Sequence, residues 1–283
     1  MGKDEVPEPD ETTEATLDQA RAVGVLAQRR YATGVDVTGG GAVHGPALAQ
    51  TQALLRCRVP LFEPDFVYNC CYARADILEP VDADAWDIIE VKGSTKVKDE
   101  HLHDIAFQRF VYEGAGIKIR RCFVLHVNNK YVLQGDIDPQ QMFTKVDVTS
   151  SVDELMSTIA PNLTRISNAI GLAAHPVIQV GSHCEKPNTC PIYDRCWSTL
   201  PEDNVFTLTY GGKKSQKLFS SGVQHIKDIP ADFDLSDKQQ IQKQAVISGK
   251  AHVDKAAIQG FLDSLEYPLH FLDFETYGHQ LML

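Results

Sequence analysis

Two neighbouring stretches decide how this chain reads: Arg74-Ala75-Asp76-Ile77-Leu78 and, after the turn-rich residues 79–85, Ile88-Ile89-Glu90-Val91-Lys92. Both are apolar and β-prone, and side chains on a strand alternate faces. Glu90 and Lys92 therefore project together, while Val91 points the other way, into a core. A charged pair flanking a core valine needs a physical reason. With Asp76 on the adjacent strand, its carboxylate and that of Glu90 are placed to hold Mg²⁺ or Mn²⁺, hard cations that take oxygen ligands, and the Val91 main-chain carbonyl can add a third. Such a cation acidifies a bound water and neutralises charge on a phosphate, and Lys92 can orient that water or stabilise developing charge. The other reading is a surface ion pair on an edge strand, because Glu-x-Lys by itself is common.

Working outward, Asp99 suits the N-cap of a helix running to about residue 113, with Ile105, Phe107, Val111 and Tyr112 as its apolar surface and Gly114 and Gly116 as stops. Gln108 and Tyr112, four apart, share a face of that helix, where an amide and a phenol can meet a substrate or a metal-bound water; a half-buried helix face is the plainer alternative. His101 and His103 point in different directions and read as surface residues. Residues 66–78 and 117–127 read as strands, and 131–133 can pair with the latter across Asn128-Asn129. Upstream, a helix is expected over residues 17–30, with Thr16 and Gln19 in capping-box spacing, and a second over 46–56. Downstream, residues 152–172 have helical periodicity, 236–247 form a helix behind a Ser236/Gln239 capping box, and 267–274 read as an apolar strand. No internal repeat is present.

Composition sets the outer bounds. At 283 residues with 43% hydrophobic and 23% charged side chains, a folded, water-exposed protein is expected. No apolar run is long enough to cross a bilayer, and the acidic start lacks the basic and apolar regions of a signal peptide, which predicts a cytoplasmic protein without a membrane partner. A net charge of −11 argues against nucleic-acid binding by bulk electrostatics. The stretch between Lys92 and Arg121 is nevertheless net positive, so a local contact to phosphate stays open.

Asp76, Glu90-Val91-Lys92 and Gln108-x-x-x-Tyr112, in this order, resemble the RecB-type branch of the PD-(D/E)XK nucleases. More closely, the chain resembles a bacterial family of unknown function that joins such a domain to a DnaQ-like exonuclease region. The resemblance covers residues 74–78, 87–92, 97–116, 131–135, 183–197 and 267–276. It implies an α/β, restriction-endonuclease-like core, a mixed central sheet flanked by helices, with a cysteine-rich C-terminal closure. It also implies DNA as partner and a metal-dependent, exonuclease-like phosphodiester hydrolysis in repair, recombination or defence, alongside a nuclease or helicase subunit not identified. Catalytic roles fall on Asp76, Glu90, Lys92, Gln108 and Tyr112, and metal binding on Asp76, Glu90 and the Val91 carbonyl. The histidine that often joins the metal in this family has its nearest counterpart in His44.

Seven cysteines in such a chain are expected as core residues or metal ligands rather than disulfides. Cys184, Cys190 and Cys196 recur with five residues in each gap and resemble the late cysteine trio of iron–sulfur RecB-type nucleases. The resemblance implies a 4Fe-4S cluster; Zn²⁺ and an unoccupied trio of loop cysteines are the alternatives. The family's fourth, upstream ligand has no counterpart before Cys57, so either Cys57 substitutes or the natural start lies upstream. Leu272-Asp273-Phe274-Glu275-Thr276 resembles the opening of a DnaQ-like site, in which Asp273 and Glu275 would be inert without the carboxylates expected beyond Leu283.

The expected organisation is an acidic mobile N-terminus over residues 1–16, a nuclease core over 17–147, a helix plus cysteine cluster closing it over 148–200, a linker region with helices over 201–265, and the start of a DnaQ-like domain over 266–283. Two other functions fit the same residues: a non-catalytic nucleic-acid-binding or scaffolding module, and a phosphoesterase acting on RNA or a nucleotide.

Overall fold

The computed structural model describes residues 11–37, 44–173 and 178–274. The chain divides into two compact units, Pro9–Pro176 and Val177–Tyr277. The first is α/β, with a mixed central sheet flanked by helices.

In the first unit α1 (Glu11–Gln28) leads into β1 (Val35–Asp36), and α2 (His44–Leu54) precedes β2 (Leu61–Phe62). A hairpin of β3 (Asp65–Tyr68) and β4 (Cys71–Arg74) follows, then β5 (Ile77–Val81) and β6 (Ala85–Lys92). After α3 (Asp99–Gly114) come β7 (Lys118–Val127), α4 (Pro139–Met142), β8 (Phe143–Asp147) and α5 (Thr149–Ile170). The six-stranded sheet has the order β1-β2-β5-β6-β7-β8. β1 with β2 and β6 with β7 are parallel pairs; the remaining neighbours are antiparallel. A parallel pair needs a crossover, which α3 supplies between β6 and β7.

The period-two alternation sorts this sheet onto two cores. Trp86, Ile88, Cys122 and Val124 face the helices α3 and α5, packing with Ile105, Val111, Val152 and Ile159. Ile77, Ile89 and Leu125 face α1, packing with Val23, Leu26 and Ala27. Both faces of β6 are covered, which is why its first six residues are all buried. Helix α3 buries His101, Ile105, Gln108 and Tyr112, a stripe at three- and four-residue spacing, and stops where Gly116 takes φ 89°, a conformation open to glycine.

Several expectations are corrected. Residues 66–78 are not one strand: Asn69 and Cys70 both take positive φ, closing a two-residue hairpin that turns β4 back on β3, and only from Ile77 does the chain join the main sheet. Asn-Gly would have announced that turn; Asn-Cys does not. Residues 131–133 form no strand, and the partner of β7 is β8, with Val124 opposite Val146. Thr16 lies inside α1, its hydroxyl donating to the Thr12 carbonyl, so the helix begins one turn before the expected cap. Lys98, not Asp99, is the N-cap of α3, and His101 is buried, its Nδ1 accepting from the Lys98 N–H at 3.2 Å. His103 is exposed, as expected.

The second unit holds α6 (Tyr193–Trp197), α7 (Gly212–Ser220), α8 (Asp237–Ser248) and α9 (Lys255–Asp263). Val205, Leu208, Leu218, Ile226 and Ile229 form a core of their own, so residues 201–265 include a packed body that also shares its unit with the cysteine segment. The Ser236 capping box is present in both directions: Ser236 accepts from the Gln239 N–H, and Gln239 from the Ser236 N–H. Residues 267–274 form no strand. Among the described residues no helix is long and apolar enough to cross a membrane.

Candidate active site

The predicted charges meet where the central strands end. Ile77 of β5 pairs with Ile89 of β6, so Asp76, one residue before β5, stands beside Glu90, one residue further along β6. Asp76 Oδ2 accepts the Val91 N–H at 2.6 Å, which ties the carboxylate directly to the strand bearing the other two residues. Lys92 Nζ donates to Glu90 Oε1 at 2.7 Å and to Asp104 Oδ2, on α3, at 2.9 Å. Gln108 Nε2, from α3, donates to Glu90 Oε2 at 2.8 Å, so both oxygens of Glu90 are held, one by Lys92 of its own strand and one from α3. The pair that Glu90 makes with Lys92 is therefore not the surface ion pair of the alternative reading, since Glu90 is 6% exposed.

A cavity of about 670 Å³ opens on these residues. Its floor includes Asp76, Glu90, Val91 and Lys92, and α1 forms a wall through Arg21, Gly24 and Gln28. Two further carboxylates that the sequence reading did not single out, Asp36 and Glu63, line the same space. They arrive by pairing: parallel β1 and β2 set Asp36 opposite Phe62, the neighbour of Glu63. Glu63 holds φ 54°, and its N–H donates to the Asp76 carbonyl at 3.0 Å. A left-handed conformation at a residue with a Cβ costs about 1–2 kcal/mol, so it persists only where the surroundings impose it. No spacing rule marks either residue. Asp104 was within reach of one, since Asp104, Gln108 and Tyr112 continue a single four-residue stripe.

Burial raises the carboxyls of Asp76, Glu90 and Glu63. Asp76 is pushed up to about 6 by removal from water, against the opposing pull of the Val91 N–H and Lys92. Glu90 is pushed well above the carboxylate range by burial and then by the charge of Asp76. Glu63 rises to about 7, through burial and then Asp76, with Arg74 pulling the other way. Burial disfavours the Lys92 ammonium, but Glu90 and Asp104 outweigh it and hold its affinity for the proton above the usual lysine range. A raised carboxyl means that the folded protein binds a proton the unfolded chain releases, so stability contributed by these groups is present at low pH and is lost as pH climbs to the folded-state value. In chelator, the urea midpoint is expected to fall between pH 5 and 7, and Glu63→Gln should flatten the upper part of that decline. An unchanged profile in the variant would show that Glu63 is not the group being titrated.

Tyr112 is wholly buried. Its hydroxyl donates to the Pro64 carbonyl at 2.6 Å and accepts the Ala75 N–H at 2.9 Å. Pro64 follows Glu63 and Ala75 precedes Asp76, so one phenol sets the spacing of two cavity carboxylates. Arg74 Nε donates to Asp65 Oδ1 at 2.8 Å, as does the Tyr72 hydroxyl at 2.6 Å, which stiffens the hairpin leading into Asp76.

Of the remaining predicted residues, Cys57 is not among those lining this cavity, and the others belong to the second unit or lie outside what is described. His44 begins α2, but its side chain is outside the described residues, as is Glu275. Cys57 is exposed at the end of the turn after α2. Cys184, Cys190 and Cys196 are free thiols in the second unit, each half-buried, with the Cys190 N–H donating to the Cys184 carbonyl at 2.7 Å. Among the described residues no three or more His, Cys, Asp or Glu side chains are grouped to hold a metal ion. Asp273 is exposed, accepting the Phe274 N–H at 2.9 Å. No protein-family model matches the chain, and no curated protein is significantly similar to it.

Proposed function

We propose that the first unit is a divalent-metal-dependent nuclease of the RecB-type PD-(D/E)XK kind, hydrolysing phosphodiester bonds in DNA with exonuclease character. The observation that carries this reading is the pairing of half-buried Asp76 with buried Glu90, clamped beside Lys92 on one cavity floor. Two neighbouring carboxylates withdrawn from water, with the charge of Asp76 pushing Glu90 further toward protonation, are a donor set that a hard divalent cation relieves, so the residues fit Mg²⁺ or Mn²⁺, with the Val91 carbonyl as a further oxygen. When bound, such a cation supplies charge neutralisation at phosphate and lowers the pKa of water.

The chain's own groups do the rest. Lys92 stays charged and offers a proton donor beside the reacting phosphate, while Asp104 and Glu90 keep its ammonium at the cavity floor. Gln108 orients Glu90, and Tyr112 holds the backbone on either side of Glu63 and Asp76; both act through the carboxylates. The cavity carries an excess of acid, and Arg21 and Lys92 provide its positive side chains. The restriction-endonuclease-like identity of the core and an iron–sulfur or zinc role for Cys184, Cys190 and Cys196 belong to the same proposal through the family resemblance, and no step depends on the cysteines.

Purified protein with Mg²⁺ or Mn²⁺, tested on linear duplex and single-stranded DNA, should release nucleotides or short fragments, and chelator should stop it. Lys92→Ala should lower the rate about 10²–10³-fold, the usual cost of removing one donor to transition-state charge. Cutting at the parental rate by Lys92→Ala would overturn the assignment. Hydrolysis of RNA or of a nucleotide ester alone would favour the phosphoesterase, and metal-dependent binding without cutting the scaffolding module.

A further inference from the structure

A second cavity, of about 490 Å³, lies next to the first, and Gly93 lines both. The lining chemistry changes at that residue. Four carboxylates open on the first cavity, whereas none lines the second, whose polar side chains are those of Ser94, Thr95, Lys96, Lys98, Asn128, Asn129 and Tyr131. In a chain of net charge −11, a cavity of hydroxyls, amides and two ammonium groups runs against the average. Its walls are also pinned: the Val127 N–H donates to the Ser94 carbonyl at 3.0 Å, Asn128 Nδ2 to the Gln141 carbonyl at 3.1 Å, and the Ser94 hydroxyl to the Lys96 carbonyl at 2.8 Å. Lys96 and Lys98 are exposed, with the Lys98 ammonium 3.5 Å from Glu100.

We propose that this second cavity is a binding site for the sugar–phosphate backbone of a nucleic-acid strand, holding the phosphates next to the one that lies over Asp76 and Glu90. The inference deepens the nuclease reading and rests on it for the position of the reacting phosphate. Its physical basis is the change of lining across Gly93. A polyanion laid across carboxylates alone is repelled once their cation is lost; lysines, hydroxyls and amides one step along the strand hold it through its backbone, which all sequences share. Gly93 is the point where a chain with no side chain in the way passes from one cavity to the other. The strand therefore extends from the carboxylates toward the loop after β6 and the turn after β7.

Binding can be read separately from cutting. Fluorescence anisotropy of the full chain with a labelled single-stranded DNA oligonucleotide, with Ca²⁺ in place of Mg²⁺, gives the dissociation constant as a function of salt. The double variant Lys96→Ala/Lys98→Ala is expected to bind about tenfold more weakly, with a slope of log binding constant against log salt shallower by about 1.4, the value for two phosphate contacts on a single strand. Lys96→Ala alone should show about half that change in slope. Lys118→Ala, at the opposite end of β7, should bind like the parent. Parental affinity and slope in the double variant would overturn the proposal, even if the protein cuts DNA; so would failure of the parent to bind the oligonucleotide. The expected loss of affinity in a protein that binds but never cuts would sustain the binding site and overturn the nuclease reading instead.

Discussion

Asp76→Asn is expected to abolish metal-dependent hydrolysis while making the metal-free protein more stable. The catalytic loss should be at least on the order of 10³-fold, equivalent to about 4 kcal/mol of transition-state stabilisation, because a neutral amide is a poor ligand for a hard cation. The gain in stability follows from the same carboxylate. Asn keeps an oxygen to accept the Val91 N–H, so the 2.6 Å link between the chain before β5 and β6 survives. What disappears is a charge, raised to about 6 by burial, that pushes Glu90 and Glu63 upward as well. Relief of about 1 kcal/mol at neutral pH is expected, seen as a rise in melting temperature of about 2–4 °C in chelator. Added Mg²⁺ or Mn²⁺ should then stabilise the parent but not the variant. A variant that melts lower than the parent in chelator would mean that Asp76 supports the fold rather than straining it, and a variant that cuts would remove Asp76 from the metal site.

The second large effect is expected at Tyr112→Phe. The ring stays the same shape, and its packing on Phe66, with centroids 4.3 Å apart, is retained. The hydroxyl alone is lost, and with it the partners of the Pro64 carbonyl and the Ala75 N–H. A buried backbone group left without a partner costs about 1–3 kcal/mol, so the variant should lose about 2–4 kcal/mol in urea unfolding, with little change in the dependence on denaturant. Activity should fall as well: the divalent concentration for half-maximal rate should rise more than the saturated rate falls, because the Tyr112 hydroxyl spaces Glu63 and Asp76 through Pro64 and Ala75 and touches no substrate. A variant with parental stability would show that the two backbone groups find other partners. One with an unchanged metal requirement but a lower saturated rate would place the phenol in direct contact with substrate.

The acidic cavity and the helix behind it show how differently the two kinds of position were written into the chain. Glu90 and Lys92 could be placed on one face of a strand because alternation is a property of adjacent residues. Gln108 and Tyr112 could be placed on one face of a helix for the same reason, and Asp104 belonged to that stripe. The cap at Ser236 was equally local. By contrast, the hairpin at Asn69 and Cys70 carried no glycine to announce it, and residues 131–133 offered a plausible β-pattern that lost to residues 143–147 as the partner of β7. Both errors concern which segments pair, a matter settled by packing across the whole sheet.

By itself, then, the sequence placed Glu90 and Lys92 on one side of a strand, Gln108 and Tyr112 on one face of the helix that follows, and a further strand after that helix. Only the tertiary structure decided that Asp36 and Glu63 join Asp76 and Glu90 around one cavity, that Lys92 is shared between Glu90 and Asp104, and that the phenol of Tyr112 reaches backbone rather than solvent. The reason is range. Periodicity and capping act over a few residues and leave their mark in order along the chain. The cavity is assembled from segments more than fifty residues apart, between Asp36 and Glu90, brought together by strand order and by burial that makes each charge answer to its neighbours.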